Sequence, residues 1–314
     1  MLMMSLRRWI QLLSAALACF ALLAGCAALD TQQRRWIFQP SSDTWRGASY
    51  AAEGMDELWI EFDSRLEGDR ARLHALWLPQ DRPDAPVLLY LHGARWDVRS
   101  SAPRMRRMHD LGFAVLGIDY RGFGQSSGDL PSERLAYEDA RAAWDWMARE
   151  HPQARRFIYG HSLGGAIATH LASEVDDAAG LLVEASFPSI RDVVSTFRWG
   201  WLPVGPLITQ RFEAAEHIAR VKAPVLVAHG SADRFIRPEL GRRLYEQAPE
   251  PKRWLLVEGG SHHNTSAVGR DDYRTALHEL FGLGQAQDVV QSRLEPPSRH
   301  DVPLQALAAP QPLL

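Results

Sequence analysis

The chain reads as a series of short, unbroken apolar runs separated by polar, glycine-bearing loops. Val87-Leu88-Leu89-Tyr90-Leu91, Phe113 to Ile118, the run ending at Tyr159, Leu181-Leu182-Val183, Ala223 to Ala228 and Arg253-Trp254-Leu255-Leu256-Val257 are short for helices and do not alternate. Continuous apolarity of that length marks strands buried on both faces, the condition of a parallel sheet. Helical stretches separate the runs, so helices are expected on both faces. Two earlier segments, near 56–63 and 72–78, predict antiparallel edge strands. Together they predict an α/β domain with a mostly parallel eight-stranded sheet.

The loops hold the candidate chemistry. Gly160-His161-Ser162-Leu163-Gly164 fits G-x-S-x-G, with an apolar run before it and a small-residue helical stretch from Ala166 after it. A serine on a tight strand-to-helix turn takes a strained backbone, and glycines two before and two after it remove the side chains that would collide. Ser162 is the candidate nucleophile, at a helix N-terminus whose amides favour developing negative charge. Such a serine needs a base to take its proton and an acid to orient that base, in one recurring arrangement in the order Ser, Asp, His. Asp233 and His262 follow in that order, each in a loop just past a predicted strand, so three groups at one sheet edge can converge.

Plainer readings compete at each position. Asp233 could cap the helix expected near Pro238. His263 rivals His262, which is preferred because Gly259 and Gly260 permit the sharp turn that brings the imidazole back over the sheet. His92 lies upstream of Ser162, where a structural imidazole is expected. In the loop Leu91-His92-Gly93-Ala94, the amide of Ala94 is expected to pair with that of Leu163 to hold an oxyanion.

The chain's ends predict its setting. Arg7-Arg8 precede an apolar, uncharged stretch from Trp9 to Leu23 that closes on Leu23-Ala24-Gly25-Cys26, which resembles a bacterial lipoprotein signal. Residues 1–25 are then a signal peptide and Cys26 is lipidated; an uncleaved membrane helix or a plain signal peptide is the alternative. Ala27 is not the aspartate associated with inner-membrane retention, so the periplasmic face of the outer membrane is the expected location. Residues 26–50 are expected to be a tether with a leading strand, 51–284 the catalytic domain, and the proline-rich 285–314 a flexible tail. With Cys19 lost in the signal and Cys26 lipidated, no disulfide is expected.

Composition adds exclusions. A net charge of -3 gives no reason to expect nucleic acid. No P-loop, H-E-x-x-H or paired Cys/His spacing appears, so no cofactor and no metal are expected. Gly122-Phe123-Gly124-Gln125-Ser126-Ser127-Gly128 approaches a dinucleotide fingerprint, but its last glycine is one residue late and it reads as a loop. Arg95, Arg99, Arg104, Arg106 and Arg107 are expected on a solvated helix face, with contact to anionic headgroups as the alternative.

Gln33 to Ser41, Leu91-His92-Gly93, Asp119 to Ser126, Gly160 to Gly165, Ala185 to Ile190 and Gly230 to Asp233, taken in order, resemble α/β-hydrolases of the BEM46-like group, related to serine aminopeptidases and monoglyceride lipases. The resemblance spans about 33–283 and departs at Ala94-Arg95-Trp96, where relatives often have asparagine after His-Gly, and at the second histidine of Gly-Gly-Ser-His-His. It implies an α/β-hydrolase fold in which a cap, when present, follows the strand at Leu181. Here only Ser186 to Val221 occupies that place, predicting a short crossover instead of a large cap. Its Phe197, Trp199, Trp201 and Leu202 could line an acyl pocket or simply pack onto the sheet. The expected protein is a monomeric, membrane-tethered serine hydrolase of small acyl esters or thioesters. A prolyl-type peptidase and a catalytically silent envelope lipoprotein are the alternatives.

Overall fold

The computed structural model describes residues 6–41 and 48–283; the proline-rich tail expected at 285–314 lies outside them. Eight strands form one sheet: β1 (Asp56–Asp63), β2 (Arg70–Leu78), β3 (Val87–Leu91), β4 (Ala114–Ile118), β5 (Arg156–His161), β6 (Ala178–Glu184), β7 (Val225–Gly230) and β8 (Lys252–Val257). Their order is β1-β2-β4-β3-β5-β6-β7-β8, parallel from β4 to β8, with β2 antiparallel to both β1 and β4. Each apolar run in the sequence is thus a strand, and β3 and β5 are buried along nearly their whole length. Of the two leading strands only β1 is an edge, because β2 is paired on both sides.

Alternate side chains of the sheet enter two separate cores. Leu89, Ile158, Val183 and Val227 point to one side, against Trp144 and Met147 of α4 (Glu133–Glu150) and Leu171 of α5 (Leu163–Glu174). Leu88, Tyr159, Leu182 and Leu226 point to the other, against Met105 and Met108 of α3 (Ala102–Asp110) and Leu277 and Phe281 of α10 (Arg270–Phe281). Burying apolar side chains on both faces of one sheet is the architecture the unbroken runs demand. The remaining helices are α1 (Leu6–Phe38), α2 (Ala48–Ala52), α6 (Ile190–Ser195), α7 (Ala214–Ile218), α8 (Pro238–Gln247) and α9 (Thr265–Val268).

The connections from the neighbouring strands β3 and β5 leave in opposite directions: from β3 to β4 through α3 on one side, and from β5 to β6 through α5 on the other. At such a switch point loops separate and leave a crevice at the carboxyl ends of the strands. Ser162, at the end of β5, borders it.

Residues 26–41 differ from the expected start of the tether and leading strand. In place of a loose tether and a leading strand, α1 continues unbroken to Phe38; its described side chains up to Ala28 are exposed, and burial begins at Leu29, with Arg35 and Trp36 still exposed. Within it Ala16–Phe38 is long and apolar enough to cross a membrane. Cys19 and Cys26 are both exposed on this helix.

Candidate active site

Ser162 sits at the N-cap of α5 with φ 56° and ψ -122°, a left-handed strain that non-glycine residues accept only when neighbours hold it. Its amide donates to the Glu184 carbonyl at 2.9 Å, and its carbonyl accepts from the Gly165 amide and the Ser186 hydroxyl, each at 2.9 Å. The two glycines of the motif are there for space. A Cβ at Gly160 would lie 2.1 Å from the Gly164 carbonyl oxygen, and one at Gly164 would lie 2.1 Å from that of Leu91.

Three side chains from three loops meet at this turn. The Ser162 hydroxyl donates to His262 Nε2 at 3.1 Å, and His262 Nδ1 donates to Asp233 Oδ2 at 2.8 Å. Asp233 is held by more than the imidazole. Its Oδ1 accepts the amides of Phe235 and Ile236 at 2.9 and 3.0 Å, a local turn, while the N-cap position of α8 falls to Arg237, whose side chain makes no capping bond. Burial would raise this carboxyl, but hydrogen bonds from His229 and His262 outweigh it and hold the group well below the ordinary carboxylate range. It is therefore an anion wherever the imidazole can become a cation.

His263 goes elsewhere. Its ring is exposed, 5.6 Å from that of Phe235, and its carbonyl accepts from Arg104. His92 is buried with Nδ1 donating to the Gly93 carbonyl at 2.7 Å, and burial lowers its pKa, so it shapes the loop as a neutral ring.

Beneath His262 lies a buried polar floor that sequence reasoning missed. His161 Nε2 donates to the His262 carbonyl at 2.8 Å, and Arg104 donates to Glu184 Oε1 and to the His263 carbonyl at 3.1 Å each. Glu184 Oε2 in turn accepts hydroxyls from Tyr159 and Tyr273. Burial would raise the Glu184 carboxyl, yet the Arg104 charge and the two phenols keep it low, so the pair stays ionised. The backbone of the histidine loop thus hangs from two side chains anchored in the core. One signal was present in the sequence: Glu184 is a carboxylate directly continuing a fully apolar strand, which must find a partner.

The five arginines expected on a solvated face are instead engaged. Arg99 meets Glu57 at 2.5 Å, Arg106 donates to the Ala51 and Glu53 carbonyls, and Arg107 bonds the Ser266 hydroxyl at 3.1 Å. Arg104 is buried and Arg95 bonds Gln39. Clustered arginines in α3 look alike in sequence whichever way they point.

Of the expected oxyanion donors, Leu163 is the first residue of α5 and Ala94 follows Gly93, whose Cβ position would be 3.1 Å from that of Ser162. The loops carrying both amides therefore abut the serine. In the crossover, Phe197, Trp199 and Trp201 are 60%, 62% and 74% exposed, so packing onto the sheet does not explain them.

Comparison with known proteins bears on the fold and on the class of the protein. Residues 82–214 match the serine aminopeptidase S33 family. The chain is 33% identical over 289 residues to the uncharacterized protein MT2364 of Mycobacterium tuberculosis, covering 90% of this chain and all of that one. It is 31% identical over 186 residues to the lysophosphatidylserine lipase ABHD12 of Danio rerio, covering 53% of this chain and 48% of the relative. Among solved structures, the esterase Pf2001 of Pyrococcus furiosus superposes with a TM-score of 0.59 at 17% identity, over 77% of this chain and 97% of that one. Est1E of Butyrivibrio proteoclasticus gives 0.58 at 17%, over 72% and 99%. The chain belongs to the α/β-hydrolase superfamily. Within it, this protein is a hydrolase, similar over 90% of its length to the mycobacterial MT2364.

Proposed function

We propose that the protein is a serine hydrolase that cleaves carboxylic esters or thioesters through an acyl-enzyme. Ser162 attacks the carbonyl, His262 takes its proton and returns it to the leaving group, and Asp233 fixes the tautomer and stabilises the imidazolium. The amides of Ala94 and Leu163 hold the oxyanion, and water then releases the acyl group. The observation that supports this best is the continuous bond path from Ser162 Oγ through His262 to Asp233, at 3.1 and 2.8 Å. The lipase and esterase names among relatives and structural neighbours favour esters over peptides, as does a crossover too short for a large cap. The test is a fluorophosphonate probe followed by p-nitrophenyl esters of increasing chain length. Ser162→Ala should abolish labelling and lower turnover by roughly 10^4 to 10^6; covalent labelling of that variant would move the nucleophile elsewhere.

The second part of the reading is a lipid anchor at Cys26, on the periplasmic face of the outer membrane. Leu29, where burial begins, is three residues beyond it. In a helix three residues span about 4.5 Å, so the hydrolase domain would lie against the bilayer. Cys26→Ser should accumulate as unprocessed precursor, and an unmodified cysteine in the mature N-terminus by mass spectrometry would remove the lipoprotein reading alone.

A further inference from the structure

The last turns of α1 are bonded to three loops at the carboxyl edge of the sheet, the edge that holds Ser162. Asp30 Oδ1 accepts from Gln210 Nε2 at 2.9 Å, and Gln33 engages the Leu207 carbonyl at 2.6 Å and the Thr209 amide at 2.9 Å, all in the crossover. Arg34 Nε donates to the Pro131 carbonyl at 2.8 Å, in the loop before α4. Phe38 is fully buried, its ring 6.3 Å from Phe123 and 5.7 Å from Phe212. Just past it the chain grips the loop of Ala94. The Phe38 carbonyl accepts the Arg95 amide at 2.9 Å, and Arg95 Nε donates to Gln39 Oε1 at 2.7 Å.

That loop needs outside support. Arg95 and Trp96 stand at φ 70° and 54°, two successive non-glycine residues in the left-handed region. Because the Arg95 amide is taken by Phe38, the peptide joining Ala94 to Arg95 is fixed in plane, one residue from the amide expected to face the oxyanion. An anchor requires none of this, since a lipid or a span can hold a domain through any linker.

We propose that residues 30–41 are a positioning strut, in which Phe38 and Gln39 at the end of α1 set the aim of the Ala94 amide. The segment next to the anchor is then part of what makes the oxyanion hole effective. This rests on the serine-hydrolase reading. The variants are Gln39→Ala, Gln39→Glu, Arg95→Ala and the double alanine, in the full chain. Gln39→Ala should lower kcat on a p-nitrophenyl ester by about 5- to 30-fold and slow fluorophosphonate labelling by the same factor, below the loss typical of a supporting residue in direct contact with the site. KM and Tm should hold. Gln39→Glu should restore the rate, since its carboxylate accepts the same Arg95 N–H, and the double variant should lose no more than the larger single one. Wild-type kcat in Gln39→Ala, or a loss confined to KM or Tm, overturns the strut. A wild-type chain that does not label at all would instead remove the hydrolase reading beneath it.

Discussion

The two sides of the crevice are built on opposite principles. On the floor, His161, Arg104, Glu184, Tyr159 and Tyr273 are buried and bonded to one another or to the backbone of the histidine loop. On the rim, the crossover presents Phe197, Trp199, Trp201 and Leu207 to solvent, and its short helices are held by local bonds and by the end of α1. A buried, fully partnered polar group tolerates no movement, because any displacement leaves charge unsatisfied in a low dielectric. Exposed aromatics on a short crossover carry no such constraint. On the proposed hydrolase reading, the floor is expected to place the reacting atoms and the rim to be free to meet substrate.

The sharpest way to break this division is at the paired histidines. His262→Ala should lose turnover as fully as Ser162→Ala, by roughly 10^4 or more, because base and nucleophile act as a unit. His263→Ala should keep at least about a tenth, its backbone carbonyl remaining available to Arg104; equal damage from both, measured as kcat, would mean that the floor does not distinguish them.

Next in size is Arg104→Ala. It leaves Glu184 ionised without its cation, a loss of about 3–5 kcal/mol for a buried pair, and it also frees the His263 carbonyl. Tm should drop by roughly 10 °C and kcat on a short ester should fall about 10- to 100-fold. Unchanged kcat in a protein that merely melts earlier would reduce the floor to a packing device.

Acid offers a milder probe. Burial and the Arg104 charge keep the His161 imidazole well below its usual 6.5, and burial lowers His170 to about 4, so both are neutral in the folded protein near neutrality. Below 6.5 the unfolded chain takes up protons that the folded one refuses. Stability from these groups is therefore complete above 6.5 and declines as pH falls toward about 4. Melting curves across that window should show it, and His161→Asn should flatten part of the slope.

Smallest in effect on the fold, Trp199→Ala and Trp201→Ala should change Tm by little more than a degree, in line with exposed substitutions generally. Turnover of a short soluble ester should be unaffected. Hydrolysis of a long-chain ester presented in vesicles should weaken several-fold, seen in KM. A large loss on the short ester would place the rim within the reacting geometry.

Most of the fold was legible because the central strands are buried on both sides, which leaves one readable pattern: an unbroken apolar run. The triad residues were legible because each follows such a run, so Ser162, Asp233 and His262 could be assigned to one sheet edge without knowing a distance. What escaped depends on three-dimensional neighbours. Nothing local says that Arg104 points inward while Arg106, two residues on, reaches the carbonyls of Ala51 and Glu53. Likewise a helix through Phe38 stands where a strand was expected, and its fully buried ring answers to Phe123 and Phe212, far along the chain.

The distance along the chain between the meeting groups has a consequence for the life of the molecule. Ser162 and His262 are 100 residues apart, and the loop of His262 is fixed only after β8 has paired with β7. A chain made from its N-terminus presents the serine long before the imidazole exists to activate it. On the proposed mechanism, the polypeptide lacks its base throughout synthesis and any passage through a translocon. Hydrolysis is then expected to begin only when the last strand closes the sheet, so a nascent, stalled or truncated chain that lacks that strand should be inactive.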